Sequence, residues 1–410
     1  MSTQESHLAG YVAPVFTIDL SQKPRDRYKA LAMAYRHKVH GLVGLFNNLL
    51  GDLGIPVKYH SSINLIARLL LRRVHSSVET AELRGVADVT NVSMYLLVAF
   101  NVILDLLMGC TSGAVKTLEP GHSTTSPTML HFRNLDWTMD PLRSVVVQLN
   151  FVRTKSADPT HVLARSLTYV GYVGMLTAVR PQLSMSLNFR ALHNATTRTD
   201  HFKFYFNHLL VLLGLRQSIS SNLRSYMISE DRRELQVKSL ATIAEQLPHR
   251  RTTAAYLIFS DGGSTIVLEK DYKSARVRQS NTFIAATNHD VEDHGSNVVG
   301  FTPATSAASD AKSRFAGGMG ELLEDSEERL ECMSSKWTSH VRKTNRLRKN
   351  ASRSSFSQAE ARTASTFAQV VDWLSAYPTT NEETHFGVIM DPSTGEMLWT
   401  RVYPDPEGLS

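Results

Sequence analysis

Cysteine is nearly absent: the 410 residues contain two, Cys110 and Cys332. Two thiols cannot build a disulfide framework, and neither stands in a CxxC or beside paired histidines, so metal catalysis and a structural zinc are not expected. Charge of one sign is scarce as well, since 44 Lys and Arg against 38 Asp and Glu leave only +6. The excess gathers in KWTSHVRKTNRLRKNASRSS, which carries no acid. Outside that run the chain is near neutral, and no nucleic-acid partner is expected. The longest apolar stretch, VSMYLLVAFNVILDLLMG (Val92 to Gly109), has about the length of a membrane span. It includes Asn101 and Asp105, which are costly in hydrocarbon, so it reads as a buried helix. The first residues, MSTQESHLAGYVAPVF, lack the basic and apolar regions of a signal peptide, and the sequence as given carries no secretory address.

What is present is ordinary globular material, 42% hydrophobic and 20% charged, enough for one large core or two smaller ones. From Pro24 to Gly109 apolar residues recur at three and four positions in RDRYKALAMAYRHKVHGLVGLFNNLLGDLG, in SSINLIARLLLRRV and in SSVETAELRGVADVT, which predicts an almost wholly helical region. After Cys110 the period becomes two. TMLHFRNLDW, SVVVQLNFVR, HVLARSLTYV, GYVGMLTAV and LSMSLNFRAL read as successive antiparallel strands. Helices are expected at HFKFYFNHLLVLLGL and SEDRRELQVKSLATIAEQL, then strands at AAYLIFSD, STIVLEKD and NTFIAATNHD. A closing pair, HFGVIMD and EMLWTRVY, turns at PSTG. Between His294 and about Ser365 one helical piece, GGMGELLEDSEERLECMSSKW, is expected, with the basic run as a surface loop or disordered insertion. Strands in two groups around helices make the fold class α+β, in layers.

Cys110 stands where a helix gives way to a strand, followed by Thr111, Ser112 and Gly113. A lone cysteine there reads first as a small buried hydrophobe. Its company changes that reading. Arg133, Asp136, Asn188, Arg190 and Asn288 are polar residues inside or at the ends of apolar strands, where burial without partners is costly. No histidine occupies a triad-like motif, which leaves the thiol without a conventional base. A cut between Gly109 and Cys110 would supply one, because the freed α-amine titrates near neutrality and can take the proton of its own thiol.

Read together, GCTSGAV, FRNLDW, YVGYVGMLTAVRP, SMSLNFR and ATNHD resemble the family of acid ceramidase and N-acylethanolamine acid amidase, which are N-terminal nucleophile hydrolases. The likeness begins at YVAPVFTIDLSQKPRDRY and ends near HFGVIMDPSTGEMLWTRVY. It implies a four-layer αββα fold, made as one precursor that cuts itself into a helical α-subunit region, 1–109, and a catalytic β-subunit, 110–410, with a flexible basic insertion around 295–365. It also implies that Cys110 is the nucleophile, that Arg133 and Asp136 hold its amine and thiol, that Asn288 helps form the oxyanion hole, and that Asn188, Arg190 and Tyr172 meet substrate. The implied reaction is amide hydrolysis through an acyl-thioester on Cys110, releasing a fatty acid and a sphingoid base, without a cofactor. The implied partners are an N-acyl lipid, a lipid surface for the run from Lys336 to Arg353, and the two chains of the precursor themselves.

The sequence departs from the family in three places. Phe189 stands where the family has a glutamate, the late arginine motif has only a poor counterpart in Arg329, and no cysteine precedes Cys110 to bridge the two chains, so packing alone is expected to hold them. The resemblance also implies a lysosomal or vacuolar setting, for which the sequence as given shows no route; the cytoplasm is the alternative. Simpler readings stand beside these: Arg133 with Asp136 as a structural ion pair, Asn288 as a strand-end turn, Cys332 as an idle helix residue, and Asn91, Asn194 and Asn350 as chance sequons. The expected function is ceramide hydrolysis, with an N-acylethanolamine amidase or an inactive lipid-binding homologue as alternatives.

Overall fold

The computed structural model describes residues 10–52, 55–103, 109–118, 127–190, 193–230, 237–291, 318–350 and 363–404. The chain opens with β1 (Val15–Asp19) and continues through α1 (Lys29–Ala34), α2 (Arg36–Gly41), α3 (Leu45–Asp52), α4 (His60–Leu70), α5 (Ser77–Thr90) and α6 (Met94–Ile103). Then come β2 (Gly109–Leu118), β3 (Thr128–Asp136), β4 (Val146–Val152), β5 (Ala164–Tyr169), β6 (Thr177–Arg180) and β7 (Leu183–Phe189). Three helices follow, α7 (Arg198–Leu212), α8 (Ile219–Met227) and α9 (Leu240–Gln246), and then β8 (Ala255–Ser260), β9 (Thr265–Lys270), β10 (Ala275–Ser280) and β11 (Phe283–Ala286). The chain closes with α10 (Gly318–Asn350), β12 (Ser365–Thr366), α11 (Phe367–Ser375), β13 (Thr384–Asp391) and β14 (Glu396–Val402).

Helix boundaries follow local chemistry. Ser76, Thr197, Ser218, Ser239 and Thr366 each accept a backbone N–H from the first turn of α5, α7, α8, α9 and α11. Asn91 ends α5 in the left-handed conformation at φ 58°. Gly41 and Gly44 mark the breaks that divide the early helical stretch into short pieces.

The strands form two sheets. One is eight-stranded, in the order β1-β4-β5-β6-β7-β8-β9-β10, and the other six-stranded, in the order β11-β2-β3-β13-β14 with β12 beside β2. Alternation along β3 shows how they stack. Leu130 and Phe132 join Met333 of α10 and Val370 and Trp373 of α11 in one cluster, whereas His131 turns to Ser184 and Ser186 of β7 in the other sheet. The early helices cover the far side of the larger sheet, where Leu83, Val86 and Val98 share a core with its strands. The result is the four-layer αββα arrangement, helices outside and two sheets within.

Several elements differ from the sequence reading. The five expected strands are not one antiparallel series, because β3 lies in the smaller sheet and β4 to β7 in the larger, where β4 also pairs with β1 in parallel. GYVGMLTAV forms a strand only from Thr177, since Gly171 takes φ +88° and a side chain at Gly174 would meet Ser220 Oγ at 2.7 Å. The basic run is helical, not a loop: α10 continues through it to Asn350. Between Glu321 and Asn350 the chain has neither Gly nor Pro, and cations near a helix C-terminus complement its dipole. The flanks of the expected insertion, 292–317 and 351–362, and the end of the apolar helix, 104–108, lie outside the described residues.

Candidate active site

Cys110 is the second residue of β2 and completely buried. In register, Gly109 faces Asp136 and Cys110 faces Leu135. Parity then sorts the neighbours, because successive strand side chains point to opposite faces. Cys110 and Ser112 face the larger sheet, where Ser112 Oγ donates to Asn188 Oδ1 at 2.6 Å. Arg133 faces the same way. Its Nη2 donates to Cys110 Sγ at 3.2 Å and to the Leu187 carbonyl at 2.7 Å, and its Nη1 donates to the Leu176 carbonyl and Thr177 Oγ1. The guanidinium is fully buried among carbonyls, and the group beside it able to become an anion is the thiol.

Asp136 points the other way. Three residues from Arg133, it falls on the opposite face, so the structural pair between the two does not form; its partner is Arg329 of α10, Nη1 to Oδ2 at 2.5 Å. Thr384 Oγ1 donates to the other carboxylate oxygen at 2.7 Å. Arg329 Nη2 also donates to Asn288 Oδ1 at 3.2 Å. That same Oδ1 accepts the Cys110 N–H at 2.8 Å, while Asn288 Nδ2 donates to the Phe189 carbonyl at 2.8 Å. In the intact chain Asn288 therefore presents its oxygen to the Cys110 nitrogen. At position 189 the backbone carbonyl takes part in the site.

Burial pushes the Cys110 thiol up, and the neighbouring Arg133 pulls it back. Burial likewise raises the Asp136 carboxyl, against the attraction of Arg329. Both effects have the same origin, the loss of water around an anion. Compensation comes from fixed positive groups on either side of β2 and β3.

Two further residues belong to the site although the sequence does not announce them. Ser326, one helical turn before Arg329 on α10, accepts the Asn288 N–H at 2.7 Å and lies 2.8 Å from His289 Nδ1. Thr384 completes the surroundings of Asp136. The i, i+3 spacing of Ser326 and Arg329 on a helix is the one sequence signal that links them.

The residues expected to meet substrate are placed in protein contacts. Asn188 donates to the carbonyls of Ala286 and Thr287. Arg190 makes a two-pronged pair with Asp290, at 2.8 and 2.6 Å, and a second pair with Asp271 at 3.3 Å. Both side chains anchor the β7 end to the loop that carries Asn288. Tyr172 packs edge-on against Phe100 of α6 at 5.8 Å. Cys332 is on α10, with Sγ 3.9 Å from the Tyr377 carbonyl. Among the described residues no cluster of His, Cys, Asp and Glu is arranged to hold a metal ion.

Beside Asp136, the next residue, Trp137, lines an apolar groove together with Met139, Val39 of α2, Phe46 of α3, and Leu96 and Phe100 of α6. The groove has a cavity volume of about 90 Å³ and opens to solvent.

A family model described as the linear amide C–N hydrolases of the choloylglycine hydrolase family matches residues 122–322. A second, described as the beta subunit of N-acylethanolamine-hydrolyzing acid amidase, matches residues 12–75. The acid ceramidase of Heterocephalus glaber is 27% identical over 192 residues, which are 43% of this chain and 45% of that protein. The chain thus spans a little under half the length of that relative. Human acid ceramidase is 24% identical over 305 residues, 68% of this chain and 71% of its own length. Among solved structures, the Caenorhabditis elegans ortholog of N-acylethanolamine-hydrolyzing acid amidase aligns over 72% of this chain and all of its own at 18% identity, with a TM-score of 0.42. Along both matched segments the chain is similar to the acid ceramidase and N-acylethanolamine acid amidase family.

Proposed function

We propose that the chain is a self-cleaving cysteine amidase that hydrolyses the amide bond of an N-acyl lipid, with ceramide as the substrate. One observation carries the reading: the nitrogen and the sulfur of Cys110 are held separately, N–H by Asn288 at 2.8 Å and Sγ by Arg133 at 3.2 Å, at the head of a buried strand. An idle core cysteine needs a partner for its backbone N–H, which the sheet ladder ordinarily supplies, and none for its sulfur. A residue whose nitrogen becomes a free amine and whose sulfur becomes a nucleophile needs both.

The chemistry follows from that arrangement. Attack of Sγ on the Gly109 carbonyl carbon forms a thioester as the Gly109–Cys110 C–N bond breaks, and the Cys110 nitrogen leaves as an amine carrying the thiol proton. Water then hydrolyses the thioester, restoring the thiol and leaving Gly109 as a carboxylate. The interval between the two matched family models, residues 76–121, contains this bond. In the mature protein the new amine takes the thiol proton, the thiolate beside Arg133 attacks the lipid amide, and the amine half departs with a proton. Water releases the acid. The apolar lining of the groove beside Trp137 suits an acyl chain, and Asp136 with Arg329 fixes the strand end where the cut falls.

The acylethanolamine reading retains specific support, because the model matching residues 12–75 carries that name. Mass spectrometry of the purified protein tests the proposal. Two fragments with Cys110 at a new N-terminus, absent in Cys110→Ala, are expected. An intact chain that forms no acyl adduct with either lipid refutes it, and relative turnover of ceramide and N-acylethanolamine assigns the amine half.

A further inference from the structure

Among these 410 residues no cysteine precedes Cys110, so no disulfide within them can join the two sides of a cut before Cys110. Five charged side chains cross that divide. Glu82 of α5 is completely buried, and its Oε1 accepts from Arg27 Nη1 at 2.9 Å and from Arg224 Nη2 at 2.8 Å. Its Oε2 accepts from Arg224 Nη1 at 2.6 Å. Glu230 closes the ring, one oxygen on Arg27 at 2.8 Å and the other on Arg224 at 2.9 Å. One turn before Glu82, Glu79 accepts from Ser221 Oγ at 2.6 Å. Arg27, Glu79 and Glu82 precede the cut; Ser221, Arg224 and Glu230 follow it.

We infer that this ring is the clasp between the two cleavage products, an interaction surface whose partner is the other half of the same chain. The inference rests on the proposed cut. Further donors of the guanidinium groups go to carbonyls, Arg27 Nη2 to Leu20, Arg27 Nε to Gln22 and Arg224 Nη1 to Val173. A ring satisfied at this level sets register, because every displaced partner leaves a buried charge behind. The β1–β4 ladder sets register along its own edge and apolar contact adds area across the same boundary; the ring adds register between α5 and α8. Before the cut the chain itself holds the ring closed; afterwards the ring holds the two chains together with the ladder and the apolar contact.

That difference is the test. In Cys110→Ala carrying a site-specific protease sequence at residues 104–108, the protease makes the same two chains without self-cleavage. The fragments should co-elute on gel filtration at about 0.15 M and at about 1 M salt, since buried pairs are little screened. Glu82→Gln should elute as one folded species before cutting and separate afterwards, with a dissociation constant raised on the order of a hundred-fold. Should Glu82→Gln fail to fold, Glu230→Gln at the half-exposed rim gives the same direction with a smaller rise. Arg25→Ala, which removes an exposed pair with Asp88, should change nothing. Fragments of both Glu82→Gln and Glu230→Gln that separate no faster than the parent overturn the clasp. Failure of the unmodified protein to cut itself would instead remove the proposed function, leaving the protease experiment readable.

Discussion

His131 stands between the two sheets with Nδ1 2.8 Å from Ser184 Oγ and Nε2 2.8 Å from Ser186 Oγ. A neutral ring fits two hydroxyls, donating at one nitrogen and accepting at the other. A second proton would have to enter without water and beside Arg133, and burial, with that cation, pushes the ring down from 6.5 to about 3. Below about pH 6.5 the unfolded chain binds a proton that the folded chain refuses, so stability falls as pH falls, by about 1.4 kcal/mol per unit. Between about pH 7.5 and about pH 4.5 the loss from this residue amounts to about 2.7 kcal/mol. Urea unfolding of Cys110→Ala, kept uncut for the purpose, should show that loss on top of the slopes of other groups. His131→Asn will be less stable at neutral pH, but its pH-dependent loss should be smaller by about 2 to 3 kcal/mol. His385, whose burial also drives it well below the usual value, remains in both proteins and cancels in the difference. Parallel pH curves for the two proteins would refute the account of a neutral ring held between the sheets.

Arg329→Met should remove the partner of Asp136 and one partner of Asn288 together. An unpaired buried carboxylate costs about 3 to 5 kcal/mol, so thermal unfolding should occur earlier and cleavage at Gly109 should slow; an unchanged cleavage rate would remove Arg329 from the site. Gly113→Ala would bring a methyl to 2.1 Å from the Ile284 carbonyl and 2.8 Å from Phe132. Overpacking of this kind costs about 1 to 3 kcal/mol or more, readable as a lower urea midpoint, and an unchanged midpoint would show that β2 and β11 can part without loss.

Much of the layered fold is legible in the chain because its strands alternate or are continuously apolar. α8 and β10 are not: ISSNLRSYM is serine-rich and reads as loop, and ARVRQS alternates arginine with valine although both arginines reach Glu269. In the site, Cys110, Arg133, Asp136 and Asn288 can be marked as polar residues set in apolar strands. Their pairings cannot, since Asp136 and Arg329 lie 193 positions apart. Counting residues along β3 does exclude an Arg133–Asp136 pair, because an odd spacing on a strand separates faces. The basic run misleads for a different reason: charge density suggests a solvated loop, while lysine and arginine are also good helix formers.

Near the edge of the smaller sheet, Tyr11 and Val402 exchange backbone hydrogen bonds of 2.8 and 2.7 Å, and Arg401 Nη1 donates to the Gly10 carbonyl at 2.8 Å. The early and late parts of the chain are therefore neighbours, and the polypeptide can be rethreaded. A short linker joining residue 404 to residue 10, with the gene reopened at Cys110, gives a circular permutant whose first residue after the initiator is the cysteine. Once the initiator is removed its α-amine is free without any cut at Gly109, which separates the making of the proposed nucleophile from its use.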